Sequence, residues 1–378
     1  MTDEEYRNAV LNVVYLAACA VDERRPDPSR VMQMDLNTLY DAADRHMLTG
    51  ITAIALEMAG MRDESFTQAK GNAIRKAAMF DMERAAVLEK LEEAGIWYMP
   101  LKGCVLQDYF PKLGMRQMSD NDILYDLSRS KDVRSIMERL GYETVQFIPD
   151  SFSHDIYMKA PVYNFEMHRA LFDRNAGDVF FQYYSTIRDK LIKDENNRCG
   201  FHLSPEDFYI FMIAHEYKHF SGSGTGVRSL LDTYVFIKKK GAALNWPYII
   251  SELDTLGLKE FEAQNRSLST HLFKGDDLTA AESDMLNIIL FSGTYGTTVN
   301  RVRNGIIKSG NGTGGKIRYF FSRVFIPMDS VRVSFPLFGK YPILLPFLPV
   351  YRLLRGLTVR RKQMRAEIKA LVEYKDDM

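Results

Sequence analysis

Two aspartates separated by one residue, Asp120 and Asp122, open the apolar run Ile123-Leu124-Tyr125. Side chains of an extended strand alternate faces, so both carboxylates point the same way, close enough to share metal ions. Crowded carboxylates repel unless a cation lies between them. Hard oxygen donors of this kind suit magnesium, which keeps several waters and completes its shell with substrate phosphates. A third carboxylate comes from Tyr163-Asn164-Phe165-Glu166-Met167-His168, where Asn164, Glu166 and His168 share one face and Tyr163, Phe165 and Met167 the other. If that strand lies beside Asp122, three carboxylates could hold two metal ions, one activating a hydroxyl nucleophile and one neutralising a triphosphate. Leu101-Lys102-Gly103 and Arg116 bring positive charge and a close backbone approach to the same stretch. The plain alternative is that the aspartates cap a turn, as Asp often does; the Lys-Gly, Arg and Glu companions count against it.

Other patterns compete. His215-Glu216-Tyr217-Lys218-His219 matches H-E-x-x-H, which on a helix sets two histidines one turn apart with a Glu as general base, the arrangement of a zinc peptidase. No third ligand follows at a recognised spacing, and Phe208, Phe211 and Met212 set His215 near an apolar ridge. Gly310-Asn311-Gly312-Thr313-Gly314-Gly315 fits G-x-G-x-x-G but follows no strand, so it reads as a loop rather than a dinucleotide fingerprint. Ser221 to Gly226 lacks the Lys-Ser or Lys-Thr of a phosphate loop and reads as a turn. Arg228 and Asp232 stand one helical turn apart, the spacing of an i, i+4 ion pair.

The elements that must position these residues follow from periodicity. Residues 3–95 read as helices, the clearest from Phe66 to Ala94 and stopped by Gly95. Ile96 to Leu101, Ile123 to Tyr125, Tyr142 to Ile148 and one or two runs within Asp155 to His168 read as strands, with helical segments at Cys104 to Tyr109 and Arg129 to Leu140. From Ser204, a cap followed by Pro205 and two acids, the chain turns helical again. Helices are predicted at Pro205 to Phe220, Val227 to Lys240, Trp246 to Leu256, Lys259 to Leu272, Thr279 to Phe291, Lys316 to Phe325 and Arg352 to Tyr374.

The composition sets the frame. At 378 residues, 46% hydrophobic and 26% charged, the chain has enough apolar surface for real cores, which excludes a disordered or disulfide-stapled protein. Three cysteines at no ligand-like spacing argue against a disulfide framework and for a reducing, cytoplasmic setting. The first 24 residues mix acids and bases, so neither a signal peptide nor a membrane span is expected there. Acids and bases balance at 49 each, but between Arg301 and Arg365 fourteen Lys or Arg face one acid, Asp329. That basic tail predicts an anionic partner, an RNA or a membrane surface on which the protein would sit peripherally, or else a solvated face.

The Leu101-Lys102-Gly103 turn, Arg116, the Asp120-Asn121-Asp122 pair and Glu166 with His168 resemble the DNA polymerase β-like nucleotidyltransferase superfamily, in its branch of uncharacterised nucleotidyltransferases. The likeness runs from about residue 85 to 240 and extends to His215, Lys218, His219, Arg228 and Asp232, and to the Tyr-Pro-rich stretch Tyr341 to Lys362. It implies an α+β fold: an N-terminal helical segment (1–95), a small mixed-sheet nucleotidyltransferase core (96–200) and a C-terminal helical domain with the basic tail (201–378). The implied reaction moves a nucleoside monophosphate from an NTP to a hydroxyl-type acceptor, a small molecule, a tRNA or a protein. Asp120, Asp122 and Glu166 would bind Mg²⁺ and carry catalysis. Lys102, Gly103, Arg116, His168, Lys218, Arg228 and Asp232 would bind nucleotide. Two departures stand out: Gly103-Cys104 replaces the usual Gly-Ser, and polar Asn121 separates the aspartates where an apolar residue is usual. They motivate the alternative of a degenerate, non-catalytic binding module, with the zinc peptidase as a further alternative.

Overall fold

Four short helices precede a long one, and side-chain caps fix most of their starts. The computed structural model describes residues 2–147, 154–310, 312–326, 328, 331–332, 335–358 and 361–374. Ile148, Asn311, Asp329 and Arg360, which enter the sequence readings above, lie outside the described residues. Thr2 and Glu5 form a capping box on α1 (Asp3–Val21). Asp27 and Asp35 cap α2 (Pro28–Met32) and α3 (Leu36–Arg45). After α4 (Thr49–Ala59), Asp63 caps α5 (Glu64–Glu93), whose Phe66, Ala73, Ala77, Phe80, Val87 and Leu91 are buried at helical spacing. Gly95, at φ +64°, ends the run as predicted.

The sheet has five strands: β1 (Tyr98–Pro100), β2 (Asn121–Tyr125), β3 (Glu143–Gln146), β4 (Asp155–Lys159) and β5 (Tyr163–His168), with α6 (Gly103–Leu106) after β1 and α7 (Ser130–Arg139) after β2. Its spatial order is β1-β2-β5-β4-β3, with β2 and β5 parallel and every other pair antiparallel. This is the mixed sheet of an α+β fold. One face is apolar: Ile123, Tyr125, Phe165 and Met167 pack with Val87, Leu91, Val133 and Ile136 from α5 and α7. Each such burial is worth about 1.5–3 kcal/mol. From the other face Met99, Leu101 and Leu124 join Phe208 to Ala214 and Phe236.

The helices beyond are α8 (Asp178–Ser185), α9 (Pro205–Phe220), α10 (Val227–Lys240), α11 (Trp246–Thr255), α12 (Lys259–Lys274) and α13 (Ala280–Ser292), with a two-residue hairpin β6 (Ile192–Lys193) and β7 (Phe201–His202). The chain divides into two compact units, one of Met1–Tyr217 with Gly226–Thr294, the other of Lys218–Thr225 with Tyr295–Met378. In the first, helices that precede and follow the sheet in sequence join: Tyr6 OH donates to the Leu290 carbonyl at 3.2 Å, and Lys238 Nζ lies 2.5 Å from Asp22 Oδ1. In the second, α14 (Thr298–Lys308) packs on α15 (Gly312–Val324) and on the helix Arg361–Glu373 around Val302, Ile306, Tyr319 and Ala370. Gly312 to Gly315, expected in a loop, begin α15, and the single helix expected from Arg352 to Tyr374 is two, Leu348–Thr358 and Arg361–Glu373.

Candidate active site

Parallel pairing of β2 and β5 sets Asp122 opposite Glu166 and Leu124 opposite His168. Because side chains alternate, Asp122, Glu166 and His168 emerge on one face while Asn121, Phe165 and Met167 turn to the other. Asp122, Glu166 and His168 each offer a ligand atom within 4.8 Å of the others, the grouping of metal-binding side chains found among the described residues. His168 Nε2 lies 2.7 Å from Asp122 Oδ1 and 3.6 Å from Glu166 Oε2. Lys102 Nζ donates to Asp122 Oδ1 at 2.6 Å. Asp120 stands just before β2, where its Oδ1 accepts from the Ser119 hydroxyl at 2.9 Å.

The charges are unequal. Burial alone would raise Asp122, but Lys102 and His168 overcome it and hold the carboxyl well below the usual carboxylate range. Burial and the neighbouring Asp122 push Glu166 up to about 7. The same two causes raise Asp120, with Lys102 and Arg228 acting in the opposite sense. Burial and the Lys102 charge bring His168 down to about 4, so its imidazole is neutral at pH 7. Since the Asp122 carboxylate only accepts, the His168 proton belongs on Nε2.

Lys102 is held in a costly conformation, φ 45° and ψ −113°, which an L side chain rarely adopts. That turn carries the Lys102 ammonium back over β2. Gly103 follows, where a Cβ would crowd the ends of the Arg116 and Met118 side chains, 2.6 Å from Arg116 Nη1 and 3.0 Å from Met118 Cε. Cys104, in place of the usual Ser, buries its thiol 3.5 Å from Asn121 Oδ1 and 3.7 Å from the Asp122 carbonyl. The backbone N–H groups of Cys104 and Val105 donate to the carbonyls of Leu101 and Lys102. Asn121 points away from the carboxylates, as expected, taking a hydrogen bond from Arg84 at 3.0 Å.

Arg116 is brought together with Asp232 of α10. Its Nε and Nη2 donate to the two Asp232 carboxylate oxygens at 2.8 and 2.9 Å, and both residues are buried. Asp232 thus pairs with a residue 116 positions away, and Arg228 Nη1 donates to the Gln117 carbonyl at 3.1 Å. Lys218, on the last turn of α9, belongs to the second unit. In the H-E-x-x-H stretch, Glu216 is buried and accepts from Asn265 Nδ2 at 2.8 Å and from the Thr233 hydroxyl at 3.5 Å, so the acid of that pattern faces the helical interior.

Three residues near the site escaped the sequence reading. His154 Nε2 lies 3.9 Å from Glu166 Oε2, with its ring 5.2 Å from that of His168. Lys76 and Arg84 reach from α5: burial lowers the Lys76 pKa while Asp120 attracts its charge, and Arg84 holds Asn121. Their signal was present, since Lys76, Phe80 and Arg84 recur at four-residue spacing on one helix face.

No curated protein and no solved structure matches the chain. A family model described as uncharacterised nucleotidyltransferase matches residues 33–274, wider than the expected 85–240 and ending before the Tyr341 to Lys362 stretch. The match takes in α3 to α12, and with them the five-stranded sheet, the Lys102 turn, all three carboxylates and the Arg116–Asp232 pair. Covering more than half of the sequence, it shows that the chain belongs to the family of uncharacterised nucleotidyltransferases.

Proposed function

We propose that this protein transfers a nucleoside monophosphate from an NTP to a hydroxyl-type acceptor at the Asp120, Asp122 and Glu166 carboxylates. The observation that carries the reading is the in-register pairing of Asp122 with Glu166 on parallel strands, with Lys102 and His168 on the same carboxylate. The donor set fits divalent cations: an ionised Asp122 beside two further carboxyls, a neutral imidazole, and ligand atoms of Asp122, Glu166 and His168 within 4.8 Å of one another. Asp120, Asp122 and Glu166 would hold Mg²⁺, which when bound supplies charge neutralisation for the triphosphate and acidifies an acceptor hydroxyl.

The rest is the work of the chain. Glu166, in register with Asp122 on the same face, would complete the site and help activate the acceptor hydroxyl. Lys102, kept charged by Asp122 against its burial, is the cation nearest the carboxylates and can swing to phosphate once Asp122 has another partner. Arg228 and Lys76 add positive charge around Asp120. Arg116 and Asp232, already paired, would act by fixing the loop under Gly103 against α10.

Pyrophosphate release in the presence of an NTP, Mg²⁺ and a panel of acceptors tests the reading. Asp120→Asn and Asp122→Asn should each lower turnover by about 10³-fold or more while leaving the melting temperature within a few degrees. Undiminished release in both variants would contradict the assignment. Nucleotide binding without release by the wild type across the acceptor panel would favour the binding-module alternative, which the Cys104 thiol turned toward β2 motivates.

A further inference from the structure

The helix Leu348–Thr358 is built inside out. Its arginines turn inward: Arg352 Nη1 donates to the Val324 carbonyl at 2.9 Å, and the guanidinium groups of Arg352 and Arg355 lie 5.7 and 5.6 Å from the centre of the Phe335 ring. Leu348 at its start is buried, but Val350, Leu353 and Leu354 turn outward, exposed at i, i+3, i+4 spacing, which makes one stripe. The turn before it continues the stripe, with Ile343 83% and Phe347 65% exposed. Such a contiguous apolar face is unusual on a water-facing surface and marks an interaction site. Its flanks are cationic, with exposed Lys340 on one side in sequence and exposed Arg361, Lys362 and Arg365 on the other.

An occupant must satisfy both features. RNA would pair with the cations and could stack a base on Phe347, but it has no use for Ile343, Val350, Leu353 and Leu354, which make up the rest of the stripe and lack a π face. A second copy of this chain would bring its own basic surface against this one, from a segment in which fourteen cations face one acid. A bilayer surface carrying anionic lipid meets both demands, since acyl chains take the stripe and phosphate headgroups take the lysines and arginines. Among the described residues no helix is long and apolar enough to cross a membrane, and Pro342, Pro346 and Pro349 interrupt this stretch, so it would lie in the interface.

We propose that residues 341–358, with Arg361, Lys362 and Arg365, form a peripheral membrane-binding surface that seats Ile343, Phe347, Val350, Leu353 and Leu354 among the headgroups and acyl ends of anionic lipid. The proposal does not depend on the chemistry of the carboxylate site, and it lies beyond the family match.

Flotation of the full chain with vesicles tests it, using phosphatidylcholine alone and phosphatidylcholine with one third phosphatidylglycerol. The wild type should float with the anionic vesicles and bind neutral ones about tenfold less. Val350→Asp with Leu354→Asp should lower binding to anionic vesicles by about tenfold or more at an unchanged melting temperature, because both positions are exposed. Arg361→Glu with Lys362→Glu should reduce it and flatten its salt dependence. Failure of the wild type to float, or equal binding by the aspartate variant, would overturn the proposal. So would tight binding to an RNA duplex without vesicle binding, or a dimer by light scattering that the aspartate variant dissolves.

Discussion

Lys102 combines a disfavoured backbone with a half-buried side chain whose charge is balanced chiefly by Asp122, 2.6 Å away. Backbone strain of this kind persists where the surroundings over-determine it, and it concentrates at sites of function. A paired comparison isolates it. Lys102→Gly and Lys102→Ala both remove the ammonium, but glycine accepts φ 45° without penalty, so the glycine variant should be the more stable by about 1 kcal/mol or more in denaturant titration. Equal stability would show that the turn relaxes once the side chain is gone. Both variants should lose pyrophosphate release, because the ammonium is what the strain positions.

Arg116 and Asp232 tie the loop between β1 and β2 to α10, and their burial makes the pair costly to split. Arg116→Met leaves a buried carboxylate without its partner and should cost about 3–5 kcal/mol, much of which Asp232→Leu in the same chain should restore. Additive losses measured by urea unfolding would mean that the two side chains act separately. Glu216 links α9 to α12 through Asn265, and burial raises its carboxyl to about 7. A raised acid keeps its proton in the fold where the unfolded chain has lost it, so stability falls as pH climbs from about 4.5 to about 7 and stays lower above that. Glu216→Gln should therefore be more stable than wild type at pH 8, by up to roughly 3 kcal/mol in denaturant titration, with the gain gone at pH 4. A gain that does not change with pH would count against this origin.

The elements that carry strong periodicity were legible in advance: α5, α9 and α10 run close to or over their predicted spans, and the alternation in residues 163–168 placed Glu166 and His168 on one face. What escaped has physical reasons. The helix α8, Asp-Val-Phe-Phe-Gln-Tyr-Tyr-Ser, is rich in strand formers and starts at Gly177, with no side-chain cap. The helix α14 had a cap signal in Thr297, but Val299, Val302 and Gly305 lowered its propensity. At the site, spacing singled out Asp120, Asp122 and Glu166; the grouping of metal-binding side chains among the described residues takes Asp122 and Glu166 with His168, while Asp120 stands just before β2. The Arg116–Asp232 pair joins residues 116 positions apart, a partner choice that tertiary packing makes and local pattern does not display.

At the scale of the whole molecule, two regions of different chemistry share one chain: a family-matched unit with clustered carboxylates, and a C-terminal stretch, beyond residue 274, of exposed aliphatic and basic side chains. The central claim concerns the first. Binding to the folded state stabilises it by about 2.7 kcal/mol when ligand stands at a hundredfold excess over its Kd, and so raises the melting temperature whatever the acceptor. The most direct measurement is the melting temperature of wild type and Asp122→Asn with each of the four NTPs, with and without Mg²⁺. The account predicts a rise of several degrees for the wild type with at least one NTP only when Mg²⁺ is present, and its loss in Asp122→Asn. A shift that survives in the variant, or no shift with any NTP, would contradict it.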